Sequence, residues 1–276
     1  MGEGTNLAFS KVQRQLDLNY RKYGEKGINL LILHGLFGSG RNWNTFASKF
    51  KEQFQVWTLD ARNHGDSPHS YHMNYYKMSE DIKIFLNKNR IKKVILLGHS
   101  MGGKTAMHFA LNNQKRVLAL IVVDIAPVEY IHYEVKNEIL KLMKGIEFKP
   151  EMSRAEIKNT LEKKQKCDIK LIPFIMTNLI RYHNRFKWRI GLDGIDRNIS
   201  EISSFPEQEN IFLGPTKFIR GDVSEYINTE NSSHIEKFFP KSNILTLKNC
   251  GHWPHYDDPI SFNKAVKDFL NKINLL

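Results

Sequence analysis

The run Gly98-His99-Ser100-Met101-Gly102 is a G-x-S-x-G pentapeptide set between an apolar stretch, Val94–Leu97, and a stretch of helical spacing, Gly103–Leu111. A serine at a tight strand-to-helix turn leaves little room for neighbouring side chains, hence Gly98 and Gly102, and its hydroxyl stands above the carboxyl edge of a sheet. A helix starting at Met101 brings free N–H groups and a positive dipole end to the place where an oxyanion would form. These residue types suit nucleophilic catalysis by Ser100, with the N–H of Met101 as one oxyanion donor.

A serine hydroxyl is a poor nucleophile without a base. Among 11 histidines, His252 in Asn249-Cys250-Gly251-His252-Trp253-Pro254-His255 follows the last strand pattern and precedes the last helical one. That places it at the same sheet edge as Ser100, whereas His255 falls further into the loop. His34 and His99 occupy motif positions that suit packing and loop orientation. The base in turn needs a carboxylate to hold its tautomer. Asp124 ends the strand after the nucleophile, and Asp222 ends the next one in Ile219-Arg220-Gly221-Asp222-Val223-Ser224. Either fits the chain order Ser…Asp…His, and spacing alone does not choose between them.

The elements that must carry these residues are legible as alternating patterns. Residues 15–23 alternate as a surface strand, and Ile28–Leu33, Phe54–Leu59, Val94–Leu97 and Leu118–Val123 read as buried strands, each ending in a polar loop. Helical patterns, Met78–Asn87 and Gly103–Leu111, lie between them, which predicts a mostly parallel, doubly wound sheet. After Pro127 the alternation stops. About 80 residues read as helices, Glu134–Met143, Arg154–Lys164 and Ile169–Tyr182, followed by a mixed stretch to Pro206. Strands resume at Thr216–Ile219 and Ile244–Leu247, and an amphipathic helix, Ile260–Ile273, closes the chain. The expected organisation is a core of residues 1–126 and 207–276 interrupted by a helical cap, 127–206.

Composition bounds the rest. The 276 residues, 41% hydrophobic and 25% charged, suit one large domain with an insertion and exclude a disordered chain. The net charge of +12 raises the question of an anionic partner. Residues 127–206, with 15 basic and 11 acidic side chains, are close to the chain average in charge, and only Arg181, Arg185, Lys187, Arg189 and Arg197 concentrate it. Without a recognition motif or a segregated patch, no nucleic-acid partner is expected. Cys167 and Cys250 lack metal-ligand spacing, and two cysteines make no disulfide framework, so a reducing, cytoplasmic setting is expected. No membrane span, secretory leader, mitochondrial targeting segment or myristoylation site is expected, Asn6 standing where the last would need Ser or Thr.

The motifs His34-Gly35-Leu36-Phe37-Gly38, Asp60-x-Arg62-x-x-Gly65-x-Ser67, Gly98-His99-Ser100-Met101-Gly102-Gly103 and Gly251-His252-Trp253-Pro254-His255 together resemble the α/β-hydrolase superfamily over nearly the whole chain. Val122-Val123-Asp124-Ile125-Ala126-Pro127 and Phe186-Lys187-Trp188-Arg189 are similar to the YbfF-type bacterial esterases and their eukaryotic relative, abhydrolase domain-containing protein 11. The resemblance implies an α/β-hydrolase fold with an inserted helical cap. It also implies Asp124 as the acid, with Asp222 in reserve, because Ser224 occupies the slot in which many superfamily members carry theirs. Leu36 is implied as the second oxyanion donor, with Phe37 in reserve. Asp60, Arg62 and Asp66 are expected to be structural, and Cys250 a small buried hydrophobe.

What this implies chemically is a two-step acyl transfer to water that requires no metal or cofactor. The substrate would be a small-molecule carboxylic ester of short to medium acyl length or an acyl-CoA thioester, with Leu36, Phe37, Trp188, Arg185 and Arg189 as substrate-binding candidates. The two arginines would meet a CoA phosphate. The assembly would be a monomer or homodimer. Lactonase, carbon–carbon bond hydrolase and perhydrolase chemistry use the same triad and stay open, as does a catalytically silent binding module. A dehalogenase of this fold would need Asp at position 100.

Overall fold

Short, nearly unbroken apolar runs make strands buried on both faces, and such strands require helices on both sides of the sheet. The computed structural model describes residues 15–130, 134–165, 169 and 171–276; the amino-terminal segment read for targeting signals and Cys167 lie outside them. In chain order the first half comprises β1 (Tyr20–Tyr23), β2 (Ile28–Leu33), α1 (Asn44–Phe50), β3 (Phe54–Leu59), α2 (Tyr75–Lys88), β4 (Val94–His99), α3 (Met101–Asn112) and β5 (Val117–Val123). Next come α4 (Glu134–Lys144), α5 (Arg154–Lys164), α6 (Leu171–Met176), the strands β6 (Leu179–Tyr182) and β7 (Arg185–Trp188), α7 (Leu192–Asp196) and α8 (Ile199–Ser203). The chain finishes with β8 (Thr216–Gly221), α9 (Thr229–Phe238), β9 (Ser242–Leu247), α10 (Pro254–Asp257) and α11 (Pro259–Lys272).

Seven strands form one sheet in the order β1-β3-β2-β4-β5-β8-β9, parallel throughout except for β1 against β3. The period-2 geometry of a strand divides each buried run between two cores. Leu31 and Leu33 join residues of α2, α3 and α9 on one face, while Leu30 and Ile32 join those of α1 and α11 on the other. From β2 the chain winds outward to β3, then returns past β2 to β4 and winds the other way. The loops after β2 and β4 therefore diverge from neighbouring strands, with Leu33 beside Gly98, and leave a crevice at the carboxyl edge.

The segment between β5 and β8 is not wholly helical. The apolar pattern of 169–182 gives only the six-residue α6; Thr177 and Asn178 turn the chain, and Leu179–Tyr182 becomes a strand paired antiparallel with β7, Leu179 facing Trp188. A short apolar run fits helix or strand equally by periodicity. Here the complementary run six residues later decides it, and the hairpin tip places His183 at φ 51°, the left-handed region that tight hairpin turns demand. Apolar faces of this segment, including Leu142, Met143, Ile172 and Ile175, share one cluster with Phe37 and Met101 from the sheet edge. No helix among the described residues is long and apolar enough to cross a membrane.

Candidate active site

Ser100 caps α3 with φ 51° and ψ −118°, a strained turn that aims its side chain off the end of β4. The turn is tight because its neighbours lack side chains. A Cβ on Gly98 would lie 2.3 Å from the Gly102 carbonyl oxygen, and one on Gly102 would lie 2.3 Å from that of Leu33. The Ser100 N–H donates to the Val123 carbonyl at 3.1 Å, which ties the turn to the end of β5, where Asp124 follows with φ 50°.

His252 Nδ1 lies 2.8 Å from Asp124 Oδ2. Donation from Nδ1 to this fully buried carboxylate leaves Nε2 as the ring nitrogen turned away from Asp124. Asp124 is itself held by the Gly221 N–H on Oδ1 at 3.1 Å and by the Ser224 hydroxyl on Oδ2. Asp222 does other work: its Oδ1 accepts from the Cys250 N–H at 3.2 Å, bracing the loop that carries His252. The reserve acid is thus a loop-bracing residue, engaged with backbone rather than imidazole. Cys250 is fully buried beneath that loop. His99 Nε2 bonds the His252 carbonyl at 2.8 Å, linking the nucleophile turn to the same loop. Among the described residues the Ser100 hydroxyl has no hydrogen-bond partner.

The loop after β2 is fixed by two histidines. His34 Nε2 accepts from the Ala61 N–H at 3.0 Å while Nδ1 donates to the Gly35 carbonyl at 2.8 Å. His64 Nε2 accepts from the Phe37 N–H at 3.1 Å while Nδ1 donates to the Arg62 carbonyl at 2.9 Å. Both rings are wholly neutral in these roles. Burial lowers both, and with His34 close by it brings His64 to about 3. Asp60 ties this loop to the one after β3, accepting from the N–H groups of Gly40 and Asp66, and Arg62 forms a buried two-point pair with Asp81. The Phe37 N–H is consequently spent, which removes Phe37 as a reserve oxyanion donor. The N–H groups of Leu36 and Met101 have no acceptor among the described residues.

The substrate-binding candidates separate. Leu36 and Phe37 lie in the apolar cluster with Met101. Trp188 is held by its Nε1, which donates to the Met143 carbonyl at 2.8 Å, and it lines a cavity of about 560 Å³ with His69, Tyr71 and Ile190; neither Ser100 nor His252 lines that cavity. Arg189, expected to meet a CoA phosphate, pairs its guanidinium with Asp66 at 3.4 Å. Arg185 stands exposed on the β6–β7 hairpin, away from any residue of the Ser100 loop in the contacts described. Three residues at the site escaped sequence reasoning: Ser224, Tyr226 and Asn178. The Tyr226 ring stacks on His252, and Asn178 Nδ2 donates to the Phe37 carbonyl at 2.8 Å. Only Ser224 carried a signal, its place two residues after Asp222.

Residues 28–259 match the family model described as the alpha/beta hydrolase fold. The chain is 38% identical over 246 residues to the sn-1-specific diacylglycerol lipase ABHD11 of Mus musculus, covering 87% of this chain and 80% of the mouse protein. It is 36% identical over 266 residues to a putative esterase/lipase of Haemophilus influenzae, covering 95% of this chain and 91% of that protein. A solved marine microorganism esterase superposes with a TM-score of 0.89 at 36% identity, over 92% of this chain and 100% of that one. Together with the parallel sheet and the serine turn at its carboxyl edge, these matches establish that the chain belongs to the α/β-hydrolase family.

Proposed function

We propose that the chain hydrolyses carboxylic esters through an acyl-enzyme on Ser100, with His252 as general base and acid and Asp124 as the group that orients it. The observation carrying this reading is the 2.8 Å contact between His252 Nδ1 and Asp124 Oδ2, beside a serine on a strained turn. His252 Nε2 takes the Ser100 proton as Oγ attacks the substrate carbonyl carbon, and the charge on the carbonyl oxygen is received by the N–H groups of Met101 and Leu36. Collapse expels the alcohol, which leaves with the proton from His252. Water then repeats the sequence on the acyl-enzyme, releasing the acid and restoring Ser100. Each oxyanion donor is worth about 3 kcal/mol to the transition state.

Residues 127–206 serve in this reading as the cap that shapes the acyl pocket and excludes water. Its packing on Phe37 and Met101 supports that role. Lipid esters are the favoured class, because the mouse relative is named a diacylglycerol lipase. Acyl-CoA thioesters fit the chemistry of the site but lose the phosphate contact from Arg189. A reducing, cytoplasmic setting belongs to the same reading and rests on composition.

Fluorophosphonate labelling with peptide mapping tests it, alongside p-nitrophenyl esters of increasing chain length. Labelling at Ser100 with turnover, both abolished in a folded Ser100→Ala variant, is the expected result. Absence of both from the folded wild-type protein would overturn it.

A further inference from the structure

The geometry points to Tyr226 as a positioning residue of the triad, its ring face fixing the rotation of the His252 imidazole and stabilising the imidazolium that forms when Ser100 loses its proton. This rests on the Ser100–His252–Asp124 reading above. The two rings lie 3.9 Å apart, centroid to centroid, at an interplanar angle of 22°. A tyrosine face carries the negative lobe of the ring quadrupole, so it attracts a cation more than the neutral ring it replaces. An interaction that strengthens as charge develops lowers the barrier rather than merely tightening the resting site.

The ring is held in place for that task. The Tyr226 carbonyl accepts from the Tyr130 hydroxyl at 2.5 Å and from Asn231 Nδ2 at 3.2 Å, and the Tyr130 oxygen accepts in turn from the Ala126 N–H at 2.9 Å. The Tyr226 N–H reaches Ser224 Oγ at 3.4 Å, and Ser224 donates to Asp124. One loop after β8 therefore supports both the acid and the base.

The other groups around His252 limit what else its proton could sense. Asp124 is at Nδ1, His99 has its centroid 4.8 Å away, and Trp253 presents an edge at 5.4 Å. His255 lies behind His99 at 4.9 Å, while Asp222 and Asp257 bind the flanking N–H groups of Cys250 and Gly251. Burial, with His252 and His255 adjacent, holds His99 well below the ordinary histidine range; burial brings His255 to about 3. Burial also pushes the phenols of Tyr226 and Tyr130 up, so both stay neutral. Within direct contact of the imidazole, Asp124 supplies the charge and Tyr226 the polarisable face.

The test compares wild type with Tyr226→Leu, Tyr226→Phe and Tyr226→Trp by kcat/KM against pH on a p-nitrophenyl ester, with fluorophosphonate labelling at Ser100 and thermal melts as controls. Without the ring face the imidazolium forms less readily, so the base stays unprotonated to lower pH. In Tyr226→Leu the acid limb is expected to move down by about 0.5–1 pH unit while the plateau falls about 3- to 10-fold. A loosened loop alone would lower the plateau and leave the limb in place. Should Tyr226→Leu melt early, the Trp and Phe variants decide: the limb should lie in the order Trp, Tyr, Phe from high to low pH. A limb unmoved in the folded variants overturns the assignment. Wild-type protein that the probe labels at Ser100 keeps that failure separate from failure of the hydrolase reading, which an unlabelled wild type would overturn together with it.

Discussion

Asn178, in the turn between α6 and β6, donates from Nδ2 to the carbonyl of Phe37, 141 residues earlier in the chain, at 2.8 Å. Asn178 is 3% exposed, and its own carbonyl accepts from the Arg189 N–H, so the β6–β7 hairpin is anchored at the point where it grips the loop after β2. That loop is clamped from both sides. His64 holds the Phe37 N–H and Asn178 holds its carbonyl, which fixes the Leu36 N–H relative to Met101.

Removing the clamp should therefore be felt in catalysis as well as in stability. Asn178→Ala leaves a buried carbonyl unpaired, a loss of about 1–3 kcal/mol. If half of that reaches the transition state through a misplaced Leu36 donor, kcat falls about 3- to 10-fold while KM changes less than twofold. Steady-state kinetics on a soluble ester measure this, and a variant whose KM alone rises would place Asn178 in substrate binding instead.

The two aspartates make a sharper contrast. Asp124→Asn keeps the shape of the site but presents an amide where the His252 Nδ1 proton needs a carboxylate, and kcat should drop about 10⁴-fold. Asp222→Asn retains an oxygen for the Cys250 N–H and should keep kcat within about threefold. Ser224→Ala, which removes one of the hydrogen bonds on Asp124, should fall between them, at about a 3- to 10-fold loss. The reverse order for the two aspartates, in folded proteins, would reassign the acid.

Acid should weaken the fold through its buried histidines. Burial brings His64 and His255 to about 3, against 6.5 in the unfolded chain. Below pH 6.5 the unfolded chain takes up protons that the fold refuses, so stability is full above that value and is lost as pH falls toward 3, by about 1.4 kcal/mol per pH unit for each ring. His255 stacks on Trp43 at 4.2 Å and its Nδ1 has no hydrogen-bond partner, so phenylalanine can replace it without orphaning a partner there. Urea unfolding at pH 7 and pH 5 should show His255→Phe losing about 2 kcal/mol less than wild type between the two. Equal losses would mean that His255 takes up its proton in the folded state.

The sheet was legible because its strands are apolar runs that end in polar loops, and Ile28–Leu33 and Phe54–Leu59 form strands with those very limits. The serine turn was legible for the same reason: tight backbone geometry writes itself into glycines. Residues whose role depends on contacts between distant segments left no such mark. Nothing in the local sequence of Asn178 marks it as the partner of Phe37, and Tyr226 meets His252 only because β8 and β9 are neighbours in the sheet. The pattern of 169–182 runs β6 into a helix because Leu179-Ile180-Arg181-Tyr182 is too short to carry a periodicity that shows which neighbour it will pair with.

The strain at Ser100 predicts a variant that is dead and more stable. Its φ of 51° with ψ −118° lies outside the regions an L-residue favours, a cost of about 1–3 kcal/mol that the surrounding turn imposes. Ser100→Gly relieves it but frees the unfolded chain, which takes back about 0.5–1 kcal/mol. Ser100→Ala deletes the same hydroxyl and keeps the strain, so the pair isolates the backbone from the side chain. Both variants should lose all turnover, and Ser100→Gly should exceed Ser100→Ala in unfolding free energy by about 1 kcal/mol, a rise in Tm of roughly 2–4 °C for a chain of this size. If the glycine variant is the less stable of the two, the turn holds no strain for it to release, and the geometry at Ser100 is set by packing around the side chain instead.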